Sequence, residues 1–334
     1  MKILCISDGR AGHESPIKGI IQSVSQQSEV VVEWLYLKAR AKFIFRLLAI
    51  WSRLFGEIPI HFLTIAYKGM RLINDFDVAI SSGRETLPAL IALAKNRNKP
   101  NVFIGNIKYV DKSNIALNYV LFDTPGSPKS EVATGVPITK YILRGRKERH
   151  MLLLCIGGNS SVFNYDKTDL ENLLSGCSKI SQTTGLTWTI TTSRRTPRWA
   201  EDYLKEKYTH SKCIETLIIF NDGQSLKFEQ LLEDAKIVVC TRDSYAMQAE
   251  VINSAIPLIS VSPYRVVEDP FFQRAMQIIE KKKGVLLTTI ENFDDKYERS
   301  VEFIMSAKDQ ESSDMNAIGY HIIALVDGFS NYGR

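Results

Sequence analysis

A histidine lies just after the first apolar run of the chain, in the turn Ser7-Asp-Gly-Arg-Ala-Gly-His13. The run Ile3-Leu-Cys-Ile6 is typical of a buried strand, and the residues after the turn have helical spacing. An imidazole at the carboxyl end of a strand can accept a proton from a substrate hydroxyl, because imidazole titrates near neutral pH. The sequence therefore predicts His13 as a general base. The alternative is a histidine that begins a helix and bonds to the backbone.

The same turn can bind a ligand through its backbone, because N–H groups at the start of a helix face outward and the helix dipole favours negative charge. We expect an acceptor-side loop made of Asp8, Gly9, Arg10, Gly12 and Glu14. The chain contains neither Gly-x-Gly-x-x-Gly nor Gly-x-x-x-x-Gly-Lys-[Ser/Thr]. The sequence therefore lacks the main motif of a nicotinamide dehydrogenase and the main motif of a P-loop nucleotidase.

Arginines occupy similar turns after two later apolar runs, where Arg84 follows Val78-Ala-Ile80 and Arg194-Arg195 follows Thr187-Trp-Thr-Ile190. A guanidinium binds phosphate oxygens through two parallel hydrogen bonds, so these turns suit a diphosphate. We place Arg84 with His13 in the catalytic group. The predicted donor-binding residues of the later turns are Gly157, Gly158, Asn159, Ser160, Ser193, Arg194 and Arg195.

A further group follows the run Val238-Val-Cys240. Here we expect Asp243 or Ser244 to cap a helix whose start faces phosphate, and Glu250, two turns later, to hold the hydroxyls of a ribose. Glu250 could instead lie on the solvated side of that helix. The predicted donor-binding residues of this group are Arg242, Asp243, Ser244, Met247 and Glu250.

Strand-like runs alternate with longer helical segments along the 334 residues, a pattern typical of parallel α/β sheets. Two series of predicted strands are separated by a charged stretch whose residues could make few contacts with a hydrophobic core. We therefore predict a Rossmann-like domain over 1–140, a linker over 141–150 and a second Rossmann-like domain over 151–310. A C-terminal helix over 311–334 is expected to pack back on the first domain.

The composition is that of a globular protein, and the net charge of +5 is too small to indicate a nucleic-acid partner. The five cysteines form no Cys-x-x-Cys pair, and Cys5, Cys155 and Cys240, which lie in or at the end of apolar runs, are expected to be reduced core thiols. The first residues resemble no export signal, and no uncharged apolar stretch reaches about 18 residues. These features favour a cytoplasmic protein.

One acid-free segment, residues 38–56, carries five positive charges, as many as the whole net charge. At helical spacing its basic residues fall on one side and its apolar residues cover the opposite side, as in helices that lie on anionic bilayers. The alternative is a core-packed helix with a solvated basic face. The residues predicted to contact a membrane are Lys42, Phe43, Arg46, Leu47, Trp51, Arg53 and Phe55.

The motifs resemble those of GT-B glycosyltransferases, and more closely those of the mitochondrial-fission "elongated mitochondria" family, whose bacterial members are often labelled nucleoside-diphosphate-sugar epimerases. The matching segments, in order, are Asp8–Glu14, Ser82–Arg84, Ile156–Asn159, Ser193–Pro197 and Asp243–Glu250. The resemblance implies a GT-B-like α/β fold, in which two Rossmann-like domains with parallel sheets face a central cleft.

The resemblance also implies a glycosyltransferase that moves a sugar from a nucleotide-sugar donor to a lipid-linked or envelope-glycan acceptor at the cytoplasmic membrane face. No metal and no cofactor would be needed, because Arg, Lys and helix N-termini would stabilise the leaving diphosphate. Two alternatives remain at this point: a non-catalytic membrane adaptor of the same shape, and a nucleotide-sugar epimerase.

Overall fold

The computed structural model describes residues 1–41, 43–55, 57–142, 149–223, 227–267, 269–307 and 313–332. The chain divides into two compact units, of which unit 1 is Met1–Lys140 with Ser313–Arg334 and unit 2 is Tyr141–Ser312. Lys42 and residues 143–148 of the predicted linker lie outside the described residues. Of the linker residues that are described, Ile142 packs in a hydrophobic core of unit 2.

Unit 1 is built on a parallel sheet in the order β2-β1-β5-β6-β7-β8, with a separate antiparallel pair β3-β4. Its strands are β1 (Lys2–Ser7), β2 (Val31–Tyr36), β3 (Lys38–Ala39), β4 (Tyr67–Lys68), β5 (Val78–Ser82), β6 (Asn101–Ile104), β7 (Leu117–Val120) and β8 (Glu131–Ala133). Its helices are α1 (Ala11–Ser25), α2 (Ile44–Phe55), α3 (Ile60–Ala66), α4 (Leu87–Asn96) and, at the end of the chain, α12 (Ser313–Tyr332).

Unit 2 contains a second parallel sheet, in the order β11-β10-β9-β12-β13-β14. Its strands are β9 (Met151–Ile156), β10 (Trp188–Thr192), β11 (Ile214–Ile218), β12 (Ala235–Thr241), β13 (Leu258–Ser262) and β14 (Val285–Thr289). Its helices are α5 (Lys167–Thr184), α6 (Arg198–His210), α7 (Phe228–Asp234), α8 (Tyr245–Asn253), α9 (Pro270–Glu280), α10 (Ile290–Asp295) and α11 (Tyr297–Ser306).

The first strand of each unit lies in the interior of its sheet and is apolar along nearly its whole length. β1 is buried from Ile3 to Ser7, and β9 from Leu152 to Ile156, as expected for strands covered on both faces. The strands that follow are first added on one side of this strand, and later strands are added on its other side. The strand order therefore switches between β1 and β5 in unit 1 and between β9 and β12 in unit 2. At such a switch point the loops at the carboxyl ends diverge and leave a crevice for ligands.

Two helix contacts complete unit 1. Helix α4 is buried from Leu87 to Ala94, because it packs on the sheet and is itself covered by α2 and α3. Helix α12 packs on α1, where Gln27 donates to the carbonyl oxygen of Asn316 at 2.9 Å. The backbones approach closely there, since a Cβ on Gly319 would lie 2.7 Å from the carbonyl oxygen of Ser23.

Candidate functional site

His13 lies in the first turn of α1, directly after the carboxyl end of β1. Its Nδ1 is 2.9 Å from Oδ2 of Asp8, whose side chain is 4% exposed, while the imidazole is 31% exposed. The carboxylate selects the tautomer in which Nδ1–H donates, which leaves Nε2 as the acceptor. His13 therefore bonds to a side chain rather than to the backbone, and it has the arrangement of an oriented base.

Gly83, after β5, lies against the imidazole of His13. A Cβ at this glycine would lie 2.5 Å from His13 Nδ1, and its φ of +94° is one that side chains disfavour. Only glycine lets the β5 loop approach so closely. The position of the imidazole thus depends on the two strands that flank the switch point of unit 1.

A cavity of about 370 Å³ opens beside His13 at this edge of the sheet. Its polar lining comes from the loops after β1, β5 and β6, and includes His13, Arg84, Asn106 and Lys108. Arg84 and Lys108 are exposed and make no ion pair with any described residue. Sequence reasoning missed Asn106 and Lys108, although they follow a strand just as Arg84 does.

The remaining residues of the acceptor-side loop mainly stabilise the loop itself. Arg10 contacts Glu85 at 3.3 Å and Asp8 at 3.6 Å. Glu14 binds Lys18 at 2.9 Å, and Gly9 has a φ of +81°. These contacts hold the turn that presents Asp8.

In unit 2, three predicted donor-binding loops meet at the switch point between β9 and β12. Asp243 Oδ2 accepts hydrogen bonds from Arg195 Nη2 at 2.7 Å and from the backbone N–H of Gly158 at 3.0 Å. The Asp243 side chain is fully buried, and that of Arg195 is 41% exposed. The ion pair therefore fixes the loops to each other and leaves part of the guanidinium at the surface.

Both glycines after β9 are required by these contacts. A Cβ on Gly157 would lie 2.2 Å from Asp243 Oδ2, and one on Gly158 would lie 2.0 Å from the carbonyl oxygen of Arg195. A side chain at either position would push apart loops that three strands bring together. The two glycines are thus needed for packing between the loops. The sequence alone could not show whether they were needed for packing or for contact between the backbone and a ligand.

Helix α8 begins without a side-chain cap, so the predicted capping by Asp243 or Ser244 is wrong. The physical reason is that Asp243 points towards Gly158 and Arg195, and that the Ser244 hydroxyl donates to Asp243 Oδ2 at 3.2 Å. In the first turn of α8, the backbone N–H groups of Ala246 and Met247 therefore receive no hydrogen bond from an N-cap side chain, and they can bind an anion.

Burial raises the pKa of the Asp243 carboxyl above its ordinary value, because the ionised form loses hydration. The N–H of Gly158, the hydroxyl groups of Thr241 and Tyr165, and the positive charge of Arg195 act in the opposite direction. Ionisation of Asp243 is therefore unfavourable in the folded protein, and the stability of its charged form depends on these hydrogen-bond and ion-pair partners.

Several other predicted donor-binding side chains are already engaged within unit 2. The guanidinium of Arg242 donates to the carbonyl oxygens of Ser260 at 3.2 Å and Thr288 at 3.0 Å, which ties β12 to the two strands beyond it. Asn159 and Ser160 accept hydrogen bonds from backbone N–H groups of their own loop, and the Ser193 hydroxyl accepts one from Arg195. Met247 packs against a hydrophobic core.

Arg194 is exposed and makes no ion pair with a described residue. Glu250 lies partly buried on α8. Together with the exposed part of Arg195 and the first turn of α8, Arg194 forms a cationic edge at the carboxyl ends of β10 and β12. This edge can bind a diphosphate.

The broad apolar face of helix α2 is only partly buried in unit 1. Leu48, Ala49 and Ser52 are buried towards the unit, whereas a second apolar stripe points away from it. The exposed fractions in this stripe are 61% for Phe43, 57% for Leu47, 47% for Ile50 and 70% for Leu54. Trp51 and Phe55 are also exposed, and Arg46 and Arg53 flank the stripe.

The sequence contains one Asp-x-Asp motif, Asp75-Phe76-Asp77, a pair of carboxylates that could bind a divalent cation. It precedes β5 and so lies at the edge of the sheet opposite His13. Asp77 Oδ2 accepts a hydrogen bond from the backbone N–H of Lys2 at 2.7 Å, and Phe76 is buried. Among the described residues, no group of three or more His, Cys, Asp or Glu side chains could hold a metal ion.

Two Rossmann-like units with these strand orders define the class of GT-B-like α/β proteins, as solved structures also show. UDP-GlcNAc 2-epimerase from Methanocaldococcus jannaschii aligns with a TM-score of 0.56 at 12% identity, over 98% of this chain and 100% of that one. A putative UDP-N-acetylglucosamine 2-epimerase from Listeria monocytogenes gives 0.53 at 10% identity, over 99% and 97%. MurG from Acinetobacter baumannii gives 0.50 at 11% identity, over 98% and 99%. At these identities the likeness is one of fold.

The match to a family model covers fewer residues than these structural alignments, but it identifies a particular family. Residues 141–300 match the model of the family described as mitochondrial fission ELM1. The predicted resemblance to the mitochondrial-fission family is therefore confirmed over these residues, and the predicted GT-B-like fold is confirmed as well. The sequence has no significant match among curated proteins.

None of the helices in the described part of the chain is both long and apolar enough to cross a bilayer.

Replacing Gly83 with Ala should displace the imidazole of His13 from Asp8, because the new Cβ would overlap Nδ1. We expect a loss of about 1–3 kcal/mol in unfolding free energy and loss of the hydrogen-bonded Nδ1–H signal in NMR spectra. Gly126→Ala is the control, since Gly126 has a φ of +79° and a Cβ added there would meet no atom within 4 Å. If both variants keep the signal, Gly83 does not position the imidazole.

The pH dependence of stability should carry the signature of a buried Asp243. A raised folded-state pKa means that ionisation costs more in the folded chain, so stability falls as pH rises from the ordinary value near 3.8. Wild type should therefore lose unfolding free energy relative to Asp243→Asn between about pH 4 and pH 7, as measured by urea denaturation. A difference that grows in favour of wild type would mean that Arg195 outweighs burial.

Proposed function

We propose that the protein is a glycosyltransferase that moves a sugar from a nucleotide-sugar donor to an acceptor hydroxyl. The observation that carries the proposal is the pair formed by His13 and the buried Asp8 beside an open cavity. A histidine held in one tautomer by a buried carboxylate is of little use to a purely structural turn. It suits a base that must release and recover a proton at Nε2.

In the proposed reaction, His13 Nε2 accepts the proton of the acceptor hydroxyl as that oxygen attacks the anomeric carbon. Asp8 stabilises the imidazolium that forms. Arg84 and Lys108, which form no ion pair with any described residue, supply two positive charges in the same cavity, and these favour an acceptor that carries a phosphate or diphosphate. A lipid-linked sugar acceptor has this chemistry.

The donor is proposed to bind on unit 2. The first turn of α8 and the guanidinium groups of Arg194 and Arg195 would hold its diphosphate, and Glu250 would accept hydrogen bonds from the ribose. When the glycosidic bond breaks, the leaving diphosphate gains negative charge, and these same groups stabilise it. The proposed transfer therefore needs neither a metal ion nor a cofactor.

A second candidate function is epimerisation of a nucleotide sugar, since two of the structures aligned above are described as UDP-GlcNAc 2-epimerases. The donor site would be unchanged, but the sugar would be converted without an acceptor. The two activities therefore differ in whether an acceptor is consumed.

We also propose that α2 holds the protein on an anionic membrane at the cytoplasmic face. A helix that buries one apolar face in its own unit has no structural need for a second one that is exposed. With Trp51 and Phe55 on one side and Arg46 and Arg53 on the other, the stripe suits the boundary between acyl chains and headgroups.

The transferase proposal predicts that His13→Ala lowers transfer by about 100-fold or more while nucleotide-sugar binding remains, because the base acts only in the chemical step. Asp8→Asn should lower the rate at least about 10-fold, since the amide stabilises neither the tautomer nor the imidazolium. The assay is a panel of UDP, GDP and CMP sugars with phosphorylated lipid acceptors, with EDTA present. His321→Ala, an exposed histidine on α12, is the matched control.

Each alternative gives a different result in the same panel. A sugar converted to its epimer without acceptor, detected by proton NMR, identifies an epimerase. If no nucleotide sugar binds, both enzyme proposals fail, and the non-catalytic adaptor remains.

The membrane proposal predicts that the protein co-sediments at low salt with vesicles that contain phosphatidylglycerol. Arg46→Glu with Arg53→Glu should weaken this binding at least about 10-fold, because each basic residue near an anionic surface contributes about 1 kcal/mol. Leu47→Glu with Leu54→Glu should abolish it, whereas Met305→Glu, at an equally exposed apolar residue of α11, should have no effect. Equal loss in all three variants would contradict a site on α2.

A further inference from the structure

Unit 2 also contains a cavity away from the cationic edge described above. It has a volume of about 690 Å³ and lies between α5 and α6, where the loops that begin β10 and β11 close its end. β10 has five residues, so this end lies about 15 Å along the strand from the Arg194 loop. Neither the sequence motifs nor the proposed transfer uses any residue of this groove.

The floor of the groove is apolar. Leu174, Leu186 and Tyr203 lie partly buried on the hydrophobic core of unit 2, and their outer surfaces face the groove with Cys213 and Ile214. The lining residues of α5 run from Glu171 to Gln182, which corresponds to about 16 Å of helix. The volume of this groove lies within the range of volumes found for small-molecule binding sites.

The charges at the groove are uneven. Lys207, His210 and Lys212 are exposed near the end of α6, and none of them makes an ion pair with a described residue. The one carboxylate that lines the groove, Glu171, is 3.9 Å from Lys167 and accepts a hydrogen bond from Tyr203. The net charge available to a ligand is therefore positive and lies at one end.

A buried hydroxyl at the same end also points to a ligand. Ser181 Oγ is inaccessible to solvent and has no hydrogen-bond partner among the described residues. Leaving a buried hydroxyl without a hydrogen bond is unfavourable, and a ligand oxygen that accepts its hydrogen bond would satisfy it. Ser181 lies in the last turn of α5, at the same edge of the sheet as the end of α6.

From this arrangement we propose that the groove binds an anionic amphiphile, a single alkyl chain with a carboxylate or phosphate headgroup. The chain lies on the floor formed by Leu174, Leu186 and Ile214. The headgroup lies at the cationic end, within reach of His210 and Lys212. Charge complementarity favours this occupant over a neutral lipid, because Lys207 and Lys212 form no ion pair with any described residue.

Cys213 provides a local readout, since it is partly exposed in the groove whereas the other four cysteines are buried. Dodecanoate or dodecyl phosphate should slow the alkylation of Cys213 by N-ethylmaleimide about 10-fold at ten times the dissociation constant. The headgroup that protects at the lower concentration identifies the preferred anion. Cys213→Ser should abolish the labelling, which assigns the signal.

The headgroup contacts are tested by Lys207→Gln with Lys212→Gln. This pair should raise the amphiphile concentration needed for protection on the order of 10-fold. Arg299→Gln, at an exposed cation of α11 outside the groove, should leave it unchanged. Absence of protection by both anions, or equal protection by neutral dodecanol, would overturn the proposal.

Discussion

In each unit, a glycine lies in close contact with an ionisable side chain at the switch point of the sheet. In unit 1 Gly83 lies against His13, and in unit 2 Gly157 lies against Asp243. Parallel strands end at the same edge, so the loops that follow them compete for the same space. Because glycine has no side chain, it leaves room for the neighbouring polar side chain, which is then held in one position. The orientation of His13 and the Arg195–Asp243 ion pair both depend on it.

Much of this arrangement follows from the sequence, because strands, turns and glycines are local signals. Apolar runs located the central strands, and the resemblance correctly implied the class of fold. The carboxyl-end rule placed His13 and Arg84 in the loops of adjacent strands, and they line one cavity. These inferences need only the period of the pattern and the direction of the chain.

What could not be predicted is which polar side chains are already bonded inside the fold. Arg242 and Arg195 follow neighbouring strands, yet the first binds carbonyl oxygens of the sheet and the second remains partly exposed. The difference arises from strands that are distant in sequence, so no local pattern carries it. Likewise, the helical period of α2 showed that it is rich in apolar residues. It could not show that α4 covers only one side of it.

The packing of α12 on α1 gives unit 1 a discontinuous sequence, with the whole of unit 2 between its parts. Ser23 and Met315, which share a hydrogen bond, are 292 residues apart. During synthesis unit 2 is complete before α12 exists, whereas the α12-facing surface of α1 stays uncovered until the end. Closing so long a loop adds only a logarithmic entropic cost to an unfolded chain, and a folded unit 2 shortens the loop further. The unit that begins first is therefore the one that finishes folding last.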